Sequence, residues 1–408
     1  MGLLISDAVI LQSVEFAPRI AKLDEATVFV AFLNGITSNP GGFPGSGMVL
    51  SLNGSQIVQG APTTIEGANI DQQGIDVIAL TPSSVLLAYT IITGPSTGEL
   101  YLRVCTINSQ GGILLGDAFN VTSANQIIDF ALAPIDATHA FLTYKENQTS
   151  VYKGYAVRVT IAGTTPSVGT RTEIFSVSAA GSDIKMETAP FSATSIAVVY
   201  SADSSPSNAY AVLCAISGGS ITAGSPVSFD SISGTPFEFG RWGISILDST
   251  TLVIGYSKNK LSFPYSAEVK AILGKVNGTV IDFESSIQIE DGVITYEGTG
   301  ANPSVERMTG NDCLLSFPFA FDQLSANSQM KYYPLKRSDT TLRAKAPVLG
   351  SPNIFAFQAS TTAMGWHDSK ALATNNGKTY CIAVLRGQGT GSAQLVIFSP
   401  DTGYRMIV

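Results

Sequence analysis

Charged residues, histidines and long apolar runs are all scarce in this sequence. Asp, Glu, Lys and Arg make up 13% of the 408 residues, about half of the ~25% that is usual in soluble proteins. Because 45% of the residues are hydrophobic, the low charge does not indicate disorder. No apolar stretch approaches the ~20 residues of a membrane-spanning helix, so we expect no membrane insertion. A net charge of −8 without any basic run disfavours a nucleic-acid partner, and we expect none.

Residues suited to metals and cofactors are equally few. Two histidines in the whole chain leave little for a catalytic metal, and neither a phosphate-binding glycine loop nor a calcium loop is present. We therefore predict no metal, no cofactor and no catalytic residue. The four cysteines have apolar neighbours and no CxxC spacing, which predicts buried free thiols: Cys105, Cys214, Cys313 and Cys381. Residues 1–7 lack the basic start and apolar core of a secretory signal, so we expect synthesis in a cytoplasm.

A short apolar run that ends in an aromatic residue recurs along the chain. Its clearest copy is residues 195–201, Ser-Ile-Ala-Val-Val-Tyr-Ser. The closing residues follow one another at intervals of 57, 55, 56, 56, 61 and 67 and are Phe32, Tyr89, Tyr144, Tyr200, Tyr256, Phe317 and Val384. A fixed period of this size indicates a repeat architecture.

The pattern within one repeat predicts four strands. The apolar run is the second strand, and its lack of alternation indicates that both of its faces are buried. The fourth strand is more polar and carries a recurrent glycine, which indicates an outer edge. Two-residue turns rich in glycine separate the third and fourth strands: Asn53-Gly54, Gly111-Gly112, Gly218-Gly219 and Asn277-Gly278. Seven such repeats predict an all-β protein, a seven-bladed β-propeller with four antiparallel strands in each blade.

We expect the blades to form a single domain over residues 1–408. Their approximate limits are 13–69, 70–126, 127–181, 182–237, 238–301, 302–352 and 353–408. Residues 1–12 would complete the last blade beside its final strand, 404–408, so that N- and C-terminal strands close the ring. The alternatives are an open solenoid and two smaller β-domains. An open array should carry polar caps at its ends, whereas both ends here are apolar.

Aromatic residues in the loops between second and third strands are the candidate contact residues. If exposed together, they would form an apolar patch of the kind that marks interaction surfaces; alternatively, each ring folds back onto its own blade. Trp366 precedes His367 and Asp368, but adjacent strand residues point to opposite faces, so the three cannot form a catalytic triad. The candidate contact residues, with both tryptophans included, are Phe43, Phe263, Tyr265, Phe319, Phe321, Trp242 and Trp366.

The repeat at 192–229 resembles those of propeller-forming proteins in tailed bacteriophages. The similarity lies in its Ala-Val-Val-Tyr-Ser run, its Ala-Tyr-Ala-Val-Leu strand and its Ile-Ser-Gly-Gly-Ser-Ile-Thr-Ala-Gly-Ser-Pro-Val turn, and it is clearest from 75 to 260. The resemblance implies a virion setting. Our first hypothesis is therefore a non-enzymatic structural protein, displayed on capsid or tail for assembly or host-surface attachment.

The partners expected under this hypothesis are other virion proteins and a host surface receptor or glycan, and a homo-oligomer is compatible with it. A second hypothesis is a glycan-binding propeller, which would repeat an aromatic and polar pocket in each blade. A third is a glycoside-processing enzyme, which needs two carboxylates that converge at the central channel.

Overall fold

The structure is a computed structural model of the 408-residue chain. The residues it describes are 2–5, 9–12, 16–34, 42–53, 56–94, 97–122, 126–148, 151–178, 186–202, 207–232, 237–240, 242–260, 266–294, 302–308, 311–320, 328–338, 341–344, 348–349, 367–375, 378–385 and 390–399. All regular structure in these ranges is β-strand, and every strand pairing is antiparallel. The predicted all-β class is confirmed.

The described strands repeat one arrangement, which we call a unit: first, second and third strands in order, with two short outer strands paired to the third. Unit one consists of β3 (Phe16–Lys22), β4 (Thr27–Leu33), β5 (Phe43–Asn53), β6 (Gln56–Gln59) and the start of β7 (Thr63–Thr81). The rest of β7 is the first strand of unit two, followed by β8 (Ser84–Gly94), β9 (Thr97–Ile107), β10 (Ile113–Leu115) and β11 (Phe119–Thr122). The shared β7 joins units one and two into a single sheet.

Units three to five each form a separate sheet. Unit three contains β12 (Gln126–Asp136), β13 (His139–Gln148), β14 (Val151–Ala162), β15 (Thr165–Val168) and β16 (Thr172–Ser178). Unit four contains β17 (Met186–Ser192), β18 (Ser195–Ala202), β19 (Ser207–Ser217), β20 (Ser220–Ala223) and β21 (Val227–Ile232). Unit five has a divided first strand and contains β22 (Phe237–Phe239), β23 (Gly243–Asp248), β24 (Thr251–Lys260), β25 (Ser266–Asn277), β26 (Val280–Phe283) and β27 (Ile287–Ile294).

The last two units use the same order of strands. Unit six contains β28 (Ser304–Arg307), β29 (Asp312–Ala320), β30 (Ser328–Ser338), β31 (Thr341–Ala344) and β32 (Val348–Leu349). Unit seven contains β33 (His367–Asn375), β34 (Lys378–Leu385) and β35 (Thr390–Ser399), with β1 (Gly2–Ile5) and β2 (Val9–Gln12) as its outer strands.

The N-terminal strands β1 and β2 thus pair with β35 in the last described sheet. Leu4 is opposite Ile397 and Ile10 is opposite Ser392. The predicted partner strand was 404–408, which lies outside the described residues. The observed partner is β35, because the apolar segment that ends at Ser399 supplies the third strand of this unit.

Buried second strands account for much of the core. Residues 85–89 of β8 are 0% exposed, and β4, β18 and β24 have the same uninterrupted burial. The apolar clusters extend across neighbouring sheets: Leu86 in unit two packs in one cluster with Leu142 in unit three. A strand between two sheets has no solvent face, which is why its sequence does not alternate.

The four cysteines are part of this core, as predicted. All are free and buried. Burial raises the pKa of Cys105, despite the nearby guanidinium of Arg103, to about 12. Burial likewise raises the pKa of Cys214 to about 12. At neutral pH these thiols are protonated and behave as small apolar side chains.

A β-bulge recurs where the second outer strand meets the third strand in units one to five. Each bulge leaves one apolar residue without a ladder partner, and bulges re-aim the side chains beside them. These unpaired residues are Ile65, Val121, Ile174, Phe229 and Ile289. We call the residue that follows each bulge the seam residue, because in four units it contacts the next unit.

The seam between units three and four is aromatic: the rings of Phe175 and Tyr200 are stacked with centroids 4.2 Å apart. The other three seams are ionic. Glu66 lies 3.6 Å from Arg103. Asp230 accepts hydrogen bonds from Tyr256 at 2.8 Å and Lys258 at 2.7 Å, and Glu290 accepts from Lys331 and Tyr333. One repeated position therefore fastens each of these units to its successor.

Side chains also close the turns between first and second strands. In unit three, Asp136 Oδ1 accepts hydrogen bonds from the Thr138 amide at 2.8 Å and hydroxyl at 2.9 Å, and His139 Nδ1 lies 2.9 Å from the same carboxylate. Partial burial acts to raise the pKa of Asp136, but the bonds from Thr138 and His139 outweigh it and lower the pKa to about 2.

We expect this turn to make stability depend on pH in the acid range. A carboxyl whose pKa is lowered by folding contributes stability above its unfolded pKa, near 4, and loses that contribution as pH falls through about 2. In thermal unfolding from pH 6 to pH 2, Asp136→Asn should be less stable than wild type by under ~1 kcal/mol at pH 6, and the difference should vanish toward pH 2. Asp117→Asn, at an exposed carboxylate, is the control. A difference that grows with acidity would contradict this assignment.

Candidate binding site in the inner cavity

The first strands contact one another in chain order. β3 contacts β7, and contacts continue through β12, β17, β23, β28 and β33, which contacts β3 in turn. A cavity of about 330 Å³ lies among them, and we call it the inner cavity. Residues on, or directly before, six of these strands line it. The site is thus built by segments from most of the chain.

Three charged side chains meet in the inner cavity. Arg19 on β3 lies 3.9 Å from Asp76 on β7 and 3.8 Å from Glu187 on β17. Arg19 thereby joins unit one to its neighbour, unit two, and to unit four. The three side chains are 16%, 13% and 19% exposed, so solvent reaches them. Both separations exceed the usual 2.7–3.2 Å of a hydrogen bond, so the atom pairs at these distances are ion pairs and not hydrogen bonds.

The carboxylates also bind backbone amides. Asp76 accepts from the Val77 amide at 2.9 Å and from the Leu132 amide, in the next unit, at 2.8 Å. Glu187 accepts from the Thr188 amide at 3.1 Å. These bonds hold both carboxylates in place at the wall of the cavity.

Asp129, in unit three, makes the same kind of hydrogen bond to the following unit that Asp76 makes from unit two. It is 5% exposed and accepts from the Phe130 amide at 3.1 Å and the Met186 amide, in unit four, at 2.7 Å. First-strand aspartates therefore have a structural function in this fold: they tie one first strand to the next.

Trp242 borders the inner cavity and is only 3% exposed. Its ring packs at centroid distances of 5.1 Å from Phe239, 5.7 Å from Phe229 and 6.1 Å from Tyr256. The prediction of Trp242 as part of an exposed loop face is therefore wrong. The residue directly precedes β23, and that position places its ring between units four and five.

Among the other predicted contact residues, the structure describes the side chain of Phe43. Phe43 begins β5, is half-buried and packs against the apolar cluster of units one and two, which matches the alternative that the ring folds back. Phe319 lies in β29 opposite Gln329, and its side chain is outside the described residues. The same holds for the whole of Phe263, Tyr265, Phe321 and Trp366. An exposed aromatic patch formed by these residues remains a prediction.

Sequence reasoning missed Arg19, Asp76 and Glu187, although the repeat contained a signal for them. Each lies 13 residues before the closing aromatic of its own copy, which is Phe32, Tyr89 or Tyr200. Equivalent positions in a repeat fold occupy equivalent places, so an alignment of the copies by their closing residues brings the three charges together.

The closing aromatics themselves do not form open pockets in the described units. Tyr89 is 0% exposed and its ring is stacked on Tyr101 at 5.9 Å. Tyr200 is 3% exposed and is stacked on Tyr210 at 5.5 Å. These pairs pack the units and do not repeat the aromatic and polar pocket that the glycan-binding hypothesis required.

The part of the chain that the structure describes holds neither a cluster of metal ligands nor a membrane-spanning helix. No group of three or more His, Cys, Asp or Glu side chains there is arranged to hold a metal ion. No helix long and apolar enough to cross a membrane occurs there either.

No protein-family model matches the sequence, and no curated protein matches it. Solved structures do match. A protein of unknown function from Dyadobacter fermentans DSM 18053 is similar over 98% of this chain and 99% of its own, with TM-score 0.55 and 12% identity. A putative 6-phosphogluconolactonase from Bacteroides uniformis ATCC 8492 covers 82% of this chain and 85% of its own, with TM-score 0.52 and 11% identity. Polysaccharide lyase Uly1 covers 97% of this chain and 100% of its own, with TM-score 0.50 and 9% identity.

Identities of 9–12% concern the fold and not the activity. The similarity extends over most of the chain and most of each matched structure, which agrees with a repeated sheet architecture from one end to the other. Together with the antiparallel units around the inner cavity, it gives this chain an all-β, propeller-like fold.

Proposed function

We propose that the seven units form a closed ring and that the protein is a non-enzymatic virion component, displayed on capsid or tail for assembly or host-surface attachment. The support for closure is the contact between β33 and β3, which joins the last first strand to the earliest one. The pairing of β1 and β2 with β35 supports it too. Such pairing covers a sheet edge that would otherwise be open.

The non-enzymatic part of the proposal is supported by the contacts of the inner-cavity carboxylates, which hold strands together. Asp76 is bound to two backbone amides, one of them in the next unit, and Asp76 and Glu187 both face Arg19. These groups fasten strands together. The virion setting rests on the resemblance of the repeats to those of tailed bacteriophages.

Hydrolysis of chromogenic glycosides tests the enzymatic alternative, because Asp76 and Glu187 are two carboxylates in one cavity. We expect no turnover by the wild type above that of the double variant Asp76→Asn, Glu187→Gln. Turnover that is lost on Glu187→Gln while the variant remains folded would overturn the non-enzymatic proposal.

Fractionation of infected cells tests the virion setting. We expect immunoblots to find the protein in purified particles at a constant ratio to a capsid protein. Recovery only from the particle-free lysate would contradict it. The two measurements are independent, so either part of the proposal can fail alone.

A further inference from the structure

The inner cavity has the dimensions of a small-molecule site. Its volume of about 330 Å³ lies at the lower end of the ~300–1,000 Å³ typical of ligand pockets. The 13–19% exposure of its charged side chains indicates that solvent has access to it. A single small molecule fits this volume, whereas a polymer segment of several sugar or amino-acid residues does not.

The polar groups of the cavity place donors beside acceptors. The Arg19 guanidinium only donates hydrogen bonds, and the carboxylates of Asp76 and Glu187 only accept them. A hydroxyl group does both, so neighbouring hydroxyls can bridge the guanidinium and a carboxylate. A hydroxyl oxygen at about 2.8 Å from both a guanidinium nitrogen and a carboxylate oxygen can lie beside a pair that is 3.8 or 3.9 Å apart.

The remaining wall combines apolar side chains with the polar residues Thr188, Asn302 and Ser304. Ile20, Val77 and Trp242 border it but are almost fully buried. The half-buried side chain of Ile244 therefore offers the apolar surface for the C–H face of a sugar ring. The charge of the cavity limits the ligand further. Lys22 is paired with Glu25 at 3.0 Å, and Arg19 faces two carboxylates, which disfavours an anionic ligand.

We propose that the inner cavity binds a neutral, polyhydroxylated molecule the size of a monosaccharide. Arg19 and Glu187 bind its hydroxyl groups, and the half-buried Ile244 packs against its carbon ring. The proposal concerns the inner surface of the protein and does not depend on a virion setting or on the absence of catalysis.

Trp242 supplies the reporter for the test. Because the chain has two tryptophans, Trp366→Phe leaves Trp242 as the sole indole emitter. D-Glucose, D-galactose and N-acetyl-D-glucosamine are titrated to about 50 mM, which detects a Kd of ~1–10 mM, and D-glucuronate serves as the anionic probe. We expect a saturable change in Trp242 emission with at least one neutral sugar and a response at least ten-fold weaker with D-glucuronate.

The Glu187→Gln variant, in the same Trp366→Phe background, should bind that sugar with an affinity about ten-fold lower or more, because a charged hydrogen-bond acceptor is lost. Glu173→Gln is the matched control, because Glu173 pairs with Lys153 at 2.9 Å on an outer strand, and it should leave the titration unchanged. If Glu187→Gln alters the circular dichroism spectrum, Ile244→Phe, which narrows the cavity, takes its place with the same expectation.

Three results would each overturn the proposal. One is no saturable response to any of the neutral sugars, with saturation-transfer NMR also negative on the wild-type protein. Another is binding that a folded cavity variant leaves intact. The third is tighter binding of D-glucuronate than of every neutral sugar.

Discussion

Replacement of Gly243 by alanine should lower the free energy of unfolding by about 3 kcal/mol or more. A Cβ atom on Gly243 would lie 2.5 Å from the backbone nitrogen of Val305 and 2.8 Å from the carbonyl carbon of Ser304. These are backbone atoms of β28, so no side-chain rotation can relieve the contact. The substitution has to push β23 away from β28, and thus unit five away from unit six.

Chemical denaturation of Gly243→Ala and of a matched control measures this effect. Gly67→Ala is the control, because a Cβ on Gly67 meets no atom within 4 Å, and we expect a change within ~0.5 kcal/mol there. Equal stability of the two variants would show that β23 and β28 do not approach this closely. It would also weaken the case for a closed ring.

Deletion of residues 1–12 should have a comparable or larger effect. It removes β1 and β2, each of which forms four residue pairs with β35. At ~0.5–1.5 kcal/mol of net stabilisation for each hydrogen bond, the loss is on the order of 5 kcal/mol. The deletion also exposes the edge of β35, and an unpaired edge favours aggregation.

Calorimetry and light scattering on the truncated protein measure both consequences. A synthetic peptide of residues 1–12, added in excess, should restore part of the melting temperature by pairing with β35. A scrambled peptide of the same composition is the control. An unchanged melting temperature, with no rise in scattering, would mean that unit seven is stable without its outer strands.

The sequence predicted the second strands and the hairpin turns well. Residues 85–89 are apolar without interruption, and burial between two sheets is the one strand environment that requires this. The predicted turns at Gly111, Gly218 and Gly278 have φ angles of +79°, +57° and +64°, which glycine adopts without strain. In both features a single local requirement selects the residue type, so the pattern can be read directly.

The seam residues and the charges of the inner cavity were not predicted. The position of Asp230 depends on the bulge at Phe229, and a bulge follows from ladder register, which hydrophobicity alone does not determine. Arg19 and Glu187 come from units one and four, and only the cyclic order of the first strands brings them together. Long-range geometry of this kind needs coordinates, or an alignment of the repeats position by position.

The unlike chemistry of the seams has a consequence for how the molecule responds to its solution. Dissolved salt screens charge pairs but leaves ring stacking intact. High salt should therefore weaken the ionic seams at Glu66, Asp230 and Glu290 and leave the aromatic seam between Phe175 and Tyr200 unchanged. Partial burial limits the screening, since the cationic side chains at the three ionic seams are only 14–17% exposed. Among these four seams, the one between units three and four should therefore be the last to open in concentrated salt.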